Sequence, residues 1–373
     1  MKKACIITFQ WFDNLGTVLQ AYALQEALRN IGLDARIIRL RVHERCGIFK
    51  IVSKTWNGLC DNSRKFVINY ILGRHRRFES FRRSHFNYAD KRQYFFEEAL
   101  DRDWAEEILV FGSDNIWSPW CTAADNFDGP MGRVFFGTGI QHANKISYAA
   151  STAGFLTEYP RRIELLSCIR AGGFKAISLR EKCNVSWFNE QGLAAVHVPD
   201  PVFLHASDQW RKIEKWPTYT GKYVLGYDLG HQSDISIGGV CRRIAVSNGM
   251  EVKSLYPQNF WGNRETACYP GPEGGLGLID AAQCVITNSF HGVAFCIIFN
   301  RPFVFIPIRG KESFLNMRAR EIASFVGLEN RILENVKDLD RMSMEPIDWE
   351  TVNFRIAAFR SSGFEYLRKA VRL

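Results

Sequence analysis

Apolar and polar positions alternate in blocks along this chain. Short apolar runs end in polar residues or glycine: "KACIITF", "EEILVFGSDNIW", "KISYAAS", "FKAISLREK" and "AAVHVPDPVFL" in the first half. Such runs predict buried strands closed by turns. Between the first two lies "TVLQAYALQEALRNIG", with Val18, Tyr22, Leu24, Leu28 and Ile31 near helical spacing and Gly32 as a stop signal. "ARIIRL" predicts the second strand. A second series starts at "KYVLGYDLG" and continues through "EVKSLYP", "CVIT" and "RPFVFIPI". "GVAFCIIFN" and "KESFLNMRAREIASFVGL" predict helices between and after these strands, and a last helix spans about 350 to 370. The Gly-rich "GPEGGLG" at 271–277 reads as a loop.

Strand and helix alternating twice over predict an α/β protein with two Rossmann-like, doubly wound domains. The expected boundaries are 1–205, with an insertion at about 41–95, then 206–349, then a C-terminal helix at 350–373 packing back across the cleft. Asp200-Pro201 supplies the boundary signal. In such sheets ligands gather beyond the carboxyl ends of the strands, so polar residues at strand ends are the ones to weigh.

Composition narrows the classes. The chain has 373 residues, 46% hydrophobic and 23% charged, which suits a large globular protein. No apolar run approaches the roughly 18 residues of a membrane span, and the N-terminus does not read as a signal peptide. The ten cysteines form no C-x-x-C pair, which fits reduced thiols in a cytoplasmic protein and gives no zinc pattern. The net charge of +9 is concentrated: residues 64–92 carry nine Lys and Arg against Glu79 and Asp90. With Phe and Tyr interleaved, this segment fits a solvated arm, a contact with an anionic membrane surface or lipid phosphate, or a nucleic-acid surface.

His291 stands in "CVITNSFHGVAFCIIF", where a predicted strand meets a predicted helix. Asn288 and Ser289 suit helix caps, and Gly292 suits a sharp turn or a close ligand approach. Two readings stay open: a capped turn with a packed histidine, or an imidazole beside an anion site at a helix N-terminus. Arg180 ends the strand in "AISLREKC", either paired with Glu181 or poised for a carboxylate or phosphate. Arg309 and Lys311 follow "FVFIPI" as turn charges or a phosphate site. Asn14 and Gly16 in "FDNLGT", and Asp114 and Asn115 in "GSDNIW", suit either turn caps or sugar hydroxyls. No dinucleotide fingerprint, P-loop or metal pattern is present.

Taken together, "DNLGTVLQAYALQEAL", "VFGSDNIW", "KISYAAS", "ISLREK" and "VITNSFHGVAFCIIFNRPF" resemble the polysaccharide pyruvyl transferase family, in order from residue 4 to about 330. The resemblance implies a GT-B-like fold and transfer of the enolpyruvyl group of phosphoenolpyruvate onto two hydroxyls of one sugar. It implies that His291 is catalytic and that Arg180 and Lys311 meet the donor; Arg309, Ser289 and Gly292, beside them in the same strand-end clusters, are expected to meet it too. It further implies that Asn14, Gly16, Asp114 and Asn115 meet the acceptor. No metal or cofactor is expected beside the donor. The expected acceptor is a galactosyl or mannosyl glycan, lipid-pyrophosphate-linked at the inner face of the membrane, with no nucleic-acid partner. The chain departs from the family at Leu15, Thr17 and Asn115. Two other readings are a GT-B glycosyltransferase using a nucleotide sugar, and a non-catalytic module for anionic glycans.

Overall fold

A computed structural model describes residues 1–41, 61–106, 108–119, 127–142, 144–154, 156–217, 221–256 and 267–372. For 61–72, and at 341, 343 and 344, it describes the backbone only. It divides into two compact units. The first comprises Met1–Thr152, Leu156–Pro201 and Glu365–Leu373, and the second comprises Ala153–Phe155 and Val202–Phe364.

In the first unit the strands are β1 (Lys3–Ile7), β2 (Asp34–Ile37), β3 (Leu40–Arg41), β4 (Tyr94–Phe95), β5 (Ile108–Phe111), β6 (Lys145–Ser147), β7 (Ile177–Leu179) and β8 (Ala195–His197). The helices are α1 (Leu15–Asn30), α2 (Asp61–His85), α3 (Phe96–Leu100), α4 (Pro130–Phe135), α5 (Arg162–Ala171) and α6 (Val185–Glu190). A parallel sheet runs β2-β1-β5-β6. Bridges from Ile146 to Ala176 and from Ala150 to Leu179 extend it to the parallel pair β7–β8. The stretch read as one strand, "ARIIRL", is split: β2 pairs with β1, whereas Leu40 and Arg41 turn away to pair with β4. Helix α1 starts at Asn14, whose side chain accepts from the Thr17 amide at 3.2 Å, and ends before Gly32 at φ +91°. There a side chain would be strained. Of the basic insertion, 42–60 and the side chains of 61–72 lie outside the described residues.

The second unit holds β9 (Tyr223–Tyr227), β10 (Glu251–Leu255), β11 (Ala267–Cys268), β12 (Cys284–Thr287) and β13 (Phe303–Phe305). These form one parallel sheet in the order β11-β10-β9-β12-β13. Its helices are α7 (Ser207–Arg211), α8 (Ile237–Ser247), α9 (Pro272–Ala281), α10 (Phe290–Phe299), α11 (Asn316–Val326), α12 (Leu339–Met344) and most of α13 (Trp349–Ala370). Every residue of α10 is buried, as a helix apolar on all sides must be. It stops at Asn300, in the left-handed conformation at φ 56°.

The Gly-rich stretch is not a loop. Pro272 opens α9 at its first turn after Gly271, and the helix runs through Gly274, Gly275 and Gly277. The glycine at 277 answers a close approach: a Cβ there would lie 2.2 Å from the Lys215 carbonyl oxygen. "KESFLN" is likewise a 3-10 turn, Gly310–Leu315, and the α-helix starts at Asn316.

Strand order reverses direction between β1 and β5 in the first sheet and between β9 and β12 in the second. In each unit taken by itself, the strand-end polar residues fall at the carboxyl ends of the strands beside that sheet's switch point, where ligands of such sheets collect.

Candidate functional site

At the first switch point the ends of β1 and β5 are tied through α1. Gln20 donates to Thr8 Oγ1 at 3.1 Å and to the Phe9 carbonyl at 3.1 Å, and its Oε1 accepts from the Ser113 amide at 3.3 Å. Thr17 Oγ1 donates to Asp114 Oδ2 at 2.8 Å. Asp114 sits in the left-handed region at φ 62°, a conformation Asp tolerates better than most residues. The turn before it needs glycine, because a Cβ on Gly112 would lie 2.2 Å from the Tyr148 carbonyl oxygen. Asn14 caps α1 and Gly16 is buried in its first turn.

Arg180 is only 5% exposed at the end of β7. Its Nη1 donates to Asp200 at 2.7 Å and its Nε to Glu181 at 3.4 Å. Its Nη2 donates to Ser151 Oγ at 2.7 Å and Asn115 Oδ1 at 3.3 Å. Burial works against this charge, but Asp200, Glu181 and Asp114 outweigh it and hold the guanidinium pKa above its ordinary value. Glu181 also accepts from Ser151 Oγ at 2.5 Å and from the Thr152 amide at 2.9 Å. Arg180, Asn115 and Asp114 therefore belong to one buried network, joined by Thr17 to the helix that Asn14 caps.

At the second switch point Thr287 Oγ1 donates to the Tyr227 carbonyl at 2.7 Å. Asn288 accepts from the Leu229 amide and donates to Asp228 Oδ1, both at 2.9 Å. Ser289 caps α10 by accepting from the Gly292 amide at 3.2 Å. A Cβ on Gly292 would lie 2.6 Å from Thr287 Oγ1 and 3.1 Å from Tyr227 Cδ1, so glycine lets the first turn seat against both strands. His291 is thereby fixed in that first turn, 8% exposed, with its ring edge-on to Phe290 at 5.0 Å.

The loop after β13 is also built. Asn316 brackets Ile308, accepting from its amide and donating to its carbonyl, each at 2.7 Å. Arg309 donates to Asp234 at 2.8 Å and lies 3.5 Å from Glu334. Lys311 is exposed on the 3-10 turn that follows, beside Glu312, which meets His231 Nδ1 at 2.6 Å. Thr17, Gln20, Ser151, Asp228 and Asn316 escaped sequence reasoning. Only the glutamine in "LQAYALQ" carried a usable signal, a polar residue on the apolar face of a helix. Among the described residues no group of three or more His, Cys, Asp or Glu could hold a metal ion. No helix among them is long and apolar enough to cross a membrane.

Solved structures share this architecture. The UDP-GlcNAc 2-epimerase from Neisseria meningitidis bound to UDP-GlcNAc is 10% identical with a TM-score of 0.51, covering 99% of this chain and 100% of that one. The UDP-GlcNAc 2-epimerase from Methanocaldococcus jannaschii is also 10% identical, with a TM-score of 0.49 and 93% of each chain covered. The likeness to the Neisseria meningitidis structure, with the parallel sheets of both units, gives the fold class, a GT-B-like pair of Rossmann-like domains. Among curated proteins none matches the chain in sequence. The family model described as polysaccharide pyruvyl transferase matches residues 14–309. The chain belongs to the polysaccharide pyruvyl transferase family, and so is a transferase acting on a sugar or polysaccharide acceptor.

Proposed function

We propose that the protein transfers the enolpyruvyl group of phosphoenolpyruvate to two hydroxyls of one sugar, releasing phosphate and closing a cyclic pyruvate ketal. The observation that carries this reading is His291, held in the first turn of α10 at a sheet switch point in a chain of this family. The reaction balances with one imidazole. A proton goes to the methylene carbon of the donor, the first hydroxyl adds to the neighbouring carbon, and the C–O bond to phosphate breaks. The second hydroxyl then adds to the same carbon. Of the two hydroxyl protons, one replaces that delivered to the methyl group and the other leaves with phosphate. His291 takes up and delivers the proton, because an imidazole nitrogen can act as both acceptor and donor.

Lys311 and Arg309, with Ser289 and Gly292, are assigned to the donor in the second unit. Arg180 is assigned to the donor as well. Its Nη2 donates to the neutral oxygens of Ser151 and Asn115, which an incoming anion would replace at less cost than the carboxylates. Asn14, Gly16, Asp114 and Asn115 are assigned to the acceptor. The proposed acceptor is a lipid-pyrophosphate-linked galactosyl or mannosyl glycan at the inner face of the cytoplasmic membrane. Supporting it are the cations of 64–92, of which Arg76, Arg77 and Arg83 are exposed on α2. Co-sedimentation with phosphatidylglycerol vesicles tests that contact, and absence of binding at low salt removes it.

The deciding assay mixes the protein, phosphoenolpyruvate and a panel of free and lipid-linked galactosyl and mannosyl acceptors. Acceptor-dependent phosphate release and a new ketal methyl signal in proton NMR are expected. Neither appearing across the panel, together with stabilisation by a nucleoside diphosphate, would overturn the reading. His291→Ala should keep phosphoenolpyruvate binding by calorimetry and lose about 100-fold or more in turnover.

A further inference from the structure

The loop from Gln10 to Asp13, between β1 and α1, is held from beneath by one arginine. Arg82 on α2 is 2% exposed. Its Nε donates to the Gln10 carbonyl at 2.8 Å, and its Nη2 to the carbonyls of Trp11 at 3.1 Å and Phe12 at 2.6 Å and to Asp13 Oδ1 at 3.0 Å. Its Nη1 is answered by Glu79 at 2.7 Å. His75 meets the other Asp13 oxygen at 2.8 Å, and Arg74 donates to the Asp13 carbonyl. Four successive carbonyls, Gln10 to Asp13, and the Asp13 carboxylate are thus pinned by α2. Such fixing is what a recognition loop needs to meet a ligand without an ordering cost.

The pinned loop presents one large apolar group to solvent. Phe12 is 49% exposed. Its ring rests on Phe9 and Trp11, with centroids at 5.8 and 5.3 Å, and Trp11 in turn stacks on Phe135 at 6.4 Å. The exposed ring is therefore the outer member of an aromatic cluster, tilted on Phe9 and Trp11, and not an isolated surface side chain. Beside it in sequence lie Asp13 and Asn14, at the carboxyl end of β1 next to the switch point. Burial pushes the Asp13 carboxyl up, but His75 and Arg82 outweigh this and keep it ionised.

An apolar face followed in sequence by an ionised carboxylate and an amide selects among ligands. A purely apolar ligand would leave Asp13 desolvated. A pyranose has a face of C–H groups for the ring and a rim of hydroxyl donors for the carboxylate, whose oxygens accept beyond the bonds they already make. We infer that Phe12 is the stacking platform for the acceptor pyranose and that Arg82 is the positioning residue that holds it. The inference rests on the acceptor being a sugar, as the family requires, and its test is independent of phosphoenolpyruvate chemistry.

Saturation-transfer NMR of the full chain with methyl galactopyranosides and methyl mannopyranosides, without donor, reads it. Wild type is expected to pass saturation to the ring C–H protons of at least one glycoside. Phe12→Ala should weaken that glycoside about tenfold, and Phe12→Trp should stay within about twofold of wild type. Arg82→Lys should also weaken it while speeding amide hydrogen exchange at 10–13, which Phe12→Ala leaves unchanged. No binding of any glycoside by wild type, or equal binding by Phe12→Ala, overturns the inference. Phe12-dependent binding here, together with no ketal in the separate phosphoenolpyruvate assay, would instead uphold the platform and sink the proposed reaction.

Discussion

Arg180 has two carboxylates to answer before any ligand arrives. Asp200 and Glu181 are fully buried, and a charge taken from water is tolerated only while it is paired. Arg180→Met should therefore cost about 3–5 kcal/mol in urea unfolding, since it strands both acids. An unchanged unfolding midpoint would show that the network is not needed for folding. Activity lost in that variant counts toward donor binding only after this cost is measured. Asp13 and His75 make a second, titrating pair. Asp13 has its pKa lowered from 3.8, so its contribution is present above that value and lost as pH falls through the lower folded one. The His75 pKa is raised from 6.5, first by the hydrogen bond with Asp13, so its contribution is present below 6.5 and lost as pH rises through the raised value. The stability gap between wild type and His75→Gln should be widest between about pH 4 and 6.5 and should narrow on both sides. A gap flat from pH 3 to 9 would oppose this. At this scale the sequence exposed the site residues through their place after apolar runs. It showed Glu181 as a partner of Arg180 but hid the distant ones: Asp200 meets Arg180 because β7 and β8 pair side by side, a contact no local pattern encodes.

Elements were legible wherever period and punctuation agreed. β5 falls on the expected Ile108–Phe111, and α10 begins where "CVIT" gives way to "GVAF". They were illegible where composition and tertiary contact disagree, as in α9. Three glycines in ten residues read as a loop, since glycine costs a helix about 1 kcal/mol relative to alanine. The helix forms anyway because Leu276, Leu278 and Ile279 are buried and Gly277 admits the Lys215 backbone. This inverts the usual rule for glycine in a helix. On propensity alone Gly277→Ala would stabilise by about 1 kcal/mol. With a Cβ 2.2 Å from a backbone oxygen it should destabilise by about 1–3 kcal/mol, the range seen for overpacking. Stabilisation in urea titration would mean that the Lys215 segment yields freely.

At the scale of the whole molecule, two parallel sheets each reverse their order once, and each reversal carries one polar network. Period and turn signals showed two α/β halves, but they could not show which half claims the last turns of α13. The side chains settle that. Residues from Glu365 onward belong to the first unit, where Leu367 is fully buried and Tyr366 Oη donates to the Ser147 carbonyl at 2.7 Å. Ser147 ends β6, four residues before Ser151 in the Arg180 network. The last helix thus braces the strand that leads into that network. Leu367→Ala should cost about 2–5 kcal/mol as a buried leucine truncation. Tyr366→Phe should cost only about 0.5–1 kcal/mol, because the Ser147 carbonyl keeps a hydrogen bond from Ser178 Oγ at 3.0 Å. Amide hydrogen exchange separates the units. In Leu367→Ala the loss of protection should appear at β5, β6 and β7 and leave β9, β12 and β13 unchanged. Equal loss in both sheets would mean that the two units unfold as one, and loss confined to the second sheet would remove the bracing role.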